Sequence, residues 1–172
     1  MVLGRYHITA YERSTAMDFV RKDKAMRIAS IDDLPGLASL LAPGTDHADR
    51  LRKGNVCVWA AAPDGTAVGL QWVNVTGHPD RHFGDLSKPD ETTAYLNQIV
   101  VDAGYRVRGY APRVMLASVV AAGDAGFPRV RGLVARGNET MHALLQGLDF
   151  ERTGAQQGVR LGSSITLRRA LA

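Results

Sequence analysis

The feature that most restricts the fold is local. An apolar run, Ile99-Val100-Val101, stops at Asp102, turns through Ala103-Gly104, and continues as Arg106-Val107-Arg108-Gly109-Tyr110-Ala111 into a helical pattern beginning at Pro112. Strand, glycine-bearing turn and helix N-terminus in that order gather backbone N–H groups on one spot. The first N–H groups of a helix lack intrahelical partners, and the helix dipole adds partial positive charge, so the spot favours an anion. Arg106, Arg108 and Arg113 crowd the same place, and guanidinium suits phosphate. Pro112 fits a first helical position, at the loss of one donor. Taken alone, these residues read either as a phosphate cradle or as a strand-to-helix turn with solvated arginines, because short glycine motifs match by chance.

Arg106-x-x-Gly109-x-Ala111 after a hydrophobic strand resembles the acyl-CoA signature of the GNAT superfamily of N-acyltransferases, Gln/Arg-x-x-Gly-x-Gly/Ala. The second half is similar too. Val130 to Ala135 reads as the next strand, Asn138 follows, Met141 to Leu148 reads as a helix, and Asp149-Phe150 stands where the family usually has Gly-Phe. In element order the resemblance covers about residues 26–169, with the motifs confined to Gln98–Phe150. It implies an α/β (mixed α+β) fold with a twisted, mostly antiparallel central sheet of about seven strands flanked by about four helices. Residues 1–25 would then be an N-terminal extension and 26–172 a single acyl-CoA-binding domain. The implied activity is direct transfer of an acetyl group from acetyl-CoA, the co-substrate, to an amine of a small molecule. The resemblance further implies that strands splay apart here and that pantetheine fills the opening like a missing strand. Residues Ile99, Val100, Val101, Arg106, Val107, Arg108, Gly109, Tyr110, Ala111, Arg113, Asn138, Met141 and Leu145 would hold it. The backbone N–H of Val101 would face the thioester oxygen, and such preorganised donors often contribute more to catalysis than any other single effect.

Composition narrows the alternatives. With 172 residues the chain is one domain with room for a real core, and 45% hydrophobic and 22% charged residues are ordinary for a globular protein. A net charge of +4 fits a polyphosphate ligand but also an ordinary surface. The arginines are dispersed and aromatics are sparse, which argues against a nucleic-acid partner. Cys57 is the sole cysteine, so an intrachain disulfide and a cysteine zinc pattern are both excluded, and no metal is expected. The N-terminus lacks a signal peptide's apolar core and no apolar run reaches membrane-spanning length, so a cytoplasmic location without a membrane partner is expected.

The rest of the chain supplies the scaffold. Tyr6 to Tyr11 leans towards a strand, Ser14 or Thr15 could cap a short helix through Val20, and Arg21 to Lys24 reads as a solvated linker. Met26–Ala29 is expected as a strand, followed by a helix with Pro35 in its first turn and Leu37, Leu40 and Leu41 inward. A short helix, Asp46–Lys53, would border the acceptor pocket in the resembled family, although an exposed helix end accounts for Asp46 and His47 equally well. Val56–Ala62 and Ala67–Val75 read as a hairpin about Asp64-Gly65, with Trp59 and Trp72 as core residues. Gly77 to Thr93 is irregular and long for a hairpin loop, and such loops are often functional. Tyr95–Val101 is the central strand, and alternation puts Asn97 and Gln98 on opposite faces. The helix from Pro112 ends at Gly123, and Asn138 caps the next one. A strand starts at Phe150–Thr153, Gly154–Gly162 is loop-rich, and Ile165–Leu167 is the last strand. Homodimerisation is left open, with the N-terminal extension as one available contact.

Two departures from the resembled pattern bear on chemistry. Where many members have a glutamate base before the Ile-x-Val run, this chain has Gln98, which cannot take a proton. Where many have a tyrosine seven residues after the capping asparagine, donating to the leaving thiolate, it has Leu145. A positioned acid or base is worth about 10²–10⁴ in rate. Thiolate, from a thiol of pKa roughly 8.5, leaves fairly well unaided, whereas an alkylamine of pKa near 10 needs a base. His82 or His78, in the irregular loop, would be tuned for that role, with Asp85 and Glu91 as further candidates. Loss of both usual groups also leaves a non-catalytic CoA-binding module as a second reading, and a basic nucleic-acid-associated protein as a third. If His82 is the base, His82→Ala removes the near-neutral limb of the pH–rate profile; an unchanged profile eliminates it.

Overall fold

A computed structural model describes residues 21–77, 92–157 and 160–166, with the chain from 153 onward described by its backbone alone. Seven strands form one sheet: β1 (Met26–Ile28), β2 (Asn55–Ala61), β3 (Ala67–Asn74), β4 (Thr93–Val101), β5 (Arg129–Ala135), β6 (Glu151–Gln157) and β7 (Arg160–Thr166). Their spatial order is β1-β2-β3-β4-β5-β7-β6, and every neighbouring pair is antiparallel except β4–β5, which is parallel. Three α-helices, α1 (His47–Arg52), α2 (Tyr110–Asp124) and α3 (Glu139–Gly147), and two 3₁₀ segments, Ile31–Leu37 and Ala103–Tyr105, complete the described elements. The fold is mixed α/β around a mostly antiparallel sheet. Among the described residues, no helix is long and apolar enough to cross a membrane.

Strand alternation builds two cores. On β2, Val58 and Ala60 face α2, where they meet Ala117, Val120 and Val114. Cys57, Trp59 and Ala61 turn to the other face and pack with Leu37 and Leu40 of the N-terminal helical segments. The α2 side continues under β4 and β5 with Met115, Val119, Val130, Val134, Leu145 and Phe150. Each such side chain, fully removed from water, contributes about 1.5–3 kcal/mol. The expected core tryptophans are there: Trp72 is fully buried and Trp59 nearly so.

Four expectations need correction. The helix expected around Pro35 is a 3₁₀ segment, Ile31–Leu37, because proline and glycine in mid-segment cannot sustain α-helical bonding. Its N-terminus is still closed by a capping box, with Ser30 N donating to Asp33 Oδ2 at 2.7 Å. The long helix starts two residues before Pro112, at Tyr110, with Gly109 as N-cap, so Pro112 occupies the third helical position. The stretch expected to be loop-rich, Gly154–Gly162, is largely the β6–β7 hairpin, since pairing of β7 with β5 overrides weak local propensity. Asn97 and Gln98 do not simply alternate, because a bulge falls on them, as described below. The expected elements before residue 21, the His78–Glu91 stretch and Leu167 lie outside the described residues.

Met115 is the largest α2 side chain wholly within this core, at 2% exposure. Met115→Ala should cost about 2–5 kcal/mol in a urea titration, with an unchanged m-value.

Candidate active site

The site is an interruption in the sheet. Parallel pairing of β4 with β5 runs from Thr93↔Arg129 to Leu96↔Gly132 and stops there, although β4 continues to Val101 and β5 to Ala135. On its other side β4 stays paired with β3, but with a shift: Leu96 faces Val73 and Ile99 faces Gln71, so Asn97 and Gln98 together oppose Trp72. That is a β-bulge, which bends and twists the strand that carries it. The bulge resets the side-chain alternation, so that Leu96 and Ile99, three apart, both pack towards α2. Gln71 braces the distortion, its buried amide donating to Asn97 O at 3.4 Å.

Register then decides which backbone groups face the opening. Asp102 N donates to Val68 O at 2.9 Å, which makes 68/102 a hydrogen-bonded pair of the β3–β4 ladder. In an antiparallel ladder such pairs alternate, so Val100 also points its N–H and C=O at β3. Ile99 and Val101 therefore point theirs the other way, into the opening. Val100, named with them from the sequence, has its backbone in the ladder and its side chain against the opposite core. From β5, Arg129 N donates to Thr92 O at 3.1 Å, so Leu133 likewise turns its backbone groups towards β4, while Ala135 O accepts from Asn138 N at 2.9 Å in the turn that follows.

The turn beyond β4 is conformationally demanding. Gly109 has φ 80° and Val107 φ 54°, and Val107 is fully exposed. A β-branched residue in the left-handed region is an outlier and costs on the order of 1–3 kcal/mol, a kind of strain that concentrates at ligand clamps. With Gly109 as N-cap, the unpaired N–H groups of the first α2 turn emerge beside this loop. Arg106 lies over the lip, Nε donating to Val101 O at 3.3 Å, and Arg108 rests on the Tyr105 ring, 5.2 Å from its centroid. Arg113 is different. Its guanidinium makes two hydrogen bonds to Asp23, at 2.8 and 2.7 Å, and that carboxylate also accepts from Ala25 N. The charged cluster read as a solvated linker is thus partly a strap on α2, and Arg113 is not free to meet a phosphate.

On the β5 side Asn138 caps α3, its side chain accepting from Met141 N at 3.1 Å. Met141 is half-buried, and Leu145, in place of the tyrosine, is 4% exposed within the α2-side core. One residue of α3 that sequence reasoning does not single out is His142. It is 5% exposed, with Nε2 3.1 Å from Ala135 O. A histidine interrupting an otherwise apolar inward stripe is the signal that could have found it. His47, by contrast, is held by Ala42 O at 2.9 Å and stacks on Trp72, with Arg50 on the same indole, so it packs the far face of the sheet. His78 and His82 lie outside the described residues.

The profile of the Acetyltransferase (GNAT) family matches residues 26–150. The chain belongs to that family. Solved structures of similar fold include a ribosomal-protein-alanine N-acetyltransferase from Brucella melitensis, 18% identical, with a TM-score of 0.64 over 83% of this chain and 99% of that one. Another is the GNAT domain of S. lividans PAT, 15% identical, with a TM-score of 0.65 over 83% and 89%. An N-acetyltransferase from Staphylococcus aureus is 16% identical, with a TM-score of 0.62 over 83% and 97%. At these identities the likeness is one of fold. A comparison with curated protein sequences finds no match.

For a family member, the single cysteine matters because a thiol could carry an acyl group. Cys57 is fully buried, and that burial pushes its pKa up to about 12. A thiolate is the nucleophile, and burial keeps Cys57 in the thiol form at pH 8. The native protein should therefore leave Ellman's reagent unreduced at pH 8 and react only on unfolding, so that thiol release in an assay reports the co-substrate alone.

Proposed function

We propose that this GNAT family member is an N-acetyltransferase that transfers an acetyl group from acetyl-CoA directly to the amine of a small-molecule acceptor. The observation that carries the reading is the stop in β4–β5 pairing at Leu96/Gly132, with the Ile99 and Val101 backbone turned into the gap and an α2 N-terminus at its end. A gap bordered by strand backbone suits an extended ligand with amides of its own. A helix N-terminus beside two arginines suits that ligand's pyrophosphate.

In this reading Ile99 pairs with the pantetheine amides, and Val101 N–H polarises the thioester carbonyl. Gly109, Tyr110 and Ala111 offer their N–H groups to the pyrophosphate, with Val107 shaping the loop. Arg106 and Arg108 supply the charge, while Arg113 holds α2 to Asp23. Asn138 and Met141 flank the arm from α3. Attack by the acceptor nitrogen then places negative charge on the oxygen opposite the Val101 donor, where a fixed dipole in a dry cleft is most effective. Cys57, buried and protonated, gives no covalent route, which favours transfer in one complex. His78 and His82 stay proposed as bases that deprotonate the acceptor, acting from the segment between β3 and β4.

Calorimetric titration with acetyl-CoA and with CoA tests this. Micromolar binding is expected, weakened at least about tenfold in Gly109→Val, since a side chain at φ 80° strains the turn that aims the α2 N–H groups. No binding of either ligand by the wild-type chain would overturn the reading.

A further inference from the structure

The bulge on β4 decides which residue faces the opening. Before it Leu96 pairs with Val73, and after it Ile99 pairs with Gln71 and Val101 with Gly69. Had the Leu96↔Val73 pairing simply continued, Val101 would stand opposite Val68. Its N–H would then go to Val68 O, the acceptor that Asp102 N now uses. Val100 would present its N–H to the opening instead, and Ile99 would turn its side chain to the opposite core. One extra residue ahead of Ile99 therefore separates a Val101 N–H aimed into the cleft from one spent on β3.

The conformation of β4 does not by itself fix the bulge at that place. Neither Asn97 nor Gln98 is a glycine, and neither has a positive φ. A side chain of β3 meets it instead. Gln71, next to the Trp72 that the bulge opposes, is 2% exposed. Its Nε2 donates to Asn97 O at 3.4 Å, while its Oε1 is buried without a partner. A buried acceptor left unsatisfied costs more than one long hydrogen bond returns. For stability alone an apolar residue would serve better, as Val73 does two residues along on the same face.

We propose that Gln71 is a positioning residue: its amide pins the bulge at Asn97-Gln98 and so holds the Val101 N–H towards the acyl carbonyl. This rests on the reading of the opening as an acyl-CoA cleft. Gln71 acts through the backbone of β4.

The test is Gln71→Met in the full chain, which keeps the length of the side chain and removes the amide. Without ligand, amide hydrogen exchange followed by NMR should be slow at Val100 and fast at Val101 in wild type, and the variant should lose or reverse that contrast. Acetyl-CoA labelled with ¹³C at the thioester carbonyl reads the donor directly. Its bound infrared carbonyl band should lie at lower wavenumber in wild type, because only there is Val101 N–H aimed at that oxygen. With any amine acceptor that turns over, kcat should fall about 10²–10³-fold, the worth of one oxyanion donor. The urea midpoint should be unchanged or higher. An unchanged exchange contrast, equal carbonyl bands, or a variant that is less stable or fails to fold overturns the inference. Absence of any acetyl-CoA binding by wild type would instead overturn the cleft reading, and this inference with it. The exchange contrast, read without ligand, separates that failure from a failure of the bulge.

Discussion

Everything at the site depends on one failure of strand pairing. A parallel ladder that ran the full length of β4 and β5 would pair the backbone of Ile99, Val101 and Leu133, and would leave no place for an extended ligand. The bulge opposite Trp72 prevents this by setting two residues of β4 against one of β3. Extra twist then carries β4 away from β5 just after Leu96. The distortion is supported from beneath, by the Gln71 amide on Asn97 O. A site built this way is preorganised, because the polar groups that meet the ligand are held by the ladder on their other side.

The arginines are sorted by geometry in the same way. Three of them crowd the α2 N-terminus in sequence, yet they divide into two at the loop and one committed to Asp23. That commitment has structural content. Asp23 ties the residues before β1 to the start of α2, while Arg21 pairs with Asp124 at the helix's far end, 2.7 Å away. Ala61 N also donates to Ala25 O at 2.8 Å, extending the β1–β2 ladder back to the strap. The Arg21 pair is exposed and worth little, but the Asp23 carboxylate is nearly buried and bidentate, so it fixes the helix whose N-terminus adjoins the Gly109 turn.

Legibility follows the range of the interaction concerned. The Asp64-Gly65 hairpin, the Asn138 cap and the strand–turn–helix at Gly109 are readable because each is encoded within a few residues. The bulge is not, since Asn97-Gln98 looks like any polar pair in a strand until β3 supplies the register. The β6–β7 hairpin is hidden for a related reason: Gly154 and Gly162 signal loops locally, and only the pairing of β6 with β7 and of β7 with β5 makes them strand. Arg113 points to phosphate in sequence because its nearest neighbours are cationic, whereas its partner lies 90 residues away. His142 escapes notice because an apolar stripe absorbs a single histidine without breaking its period.

The side chains that the resemblance expects at the acid and base positions are absent here, while the contribution proposed for Val101 comes from the backbone. The two kinds of contribution differ in how they can be lost. A single substitution removes a carboxylate or a phenol, worth about 10²–10⁴ each in rate. The N–H of Val101 persists under every substitution except proline, and its direction is set by the β3–β4 register, in which Val68 and Asp102 are paired. Oxyanion stabilisation of this kind commonly contributes more than either, several kcal/mol in a water-excluded site. In the proposed reading, a chain that keeps the bulge, the splay and the Gly109 turn keeps the contribution that no single side-chain substitution at Val101 removes.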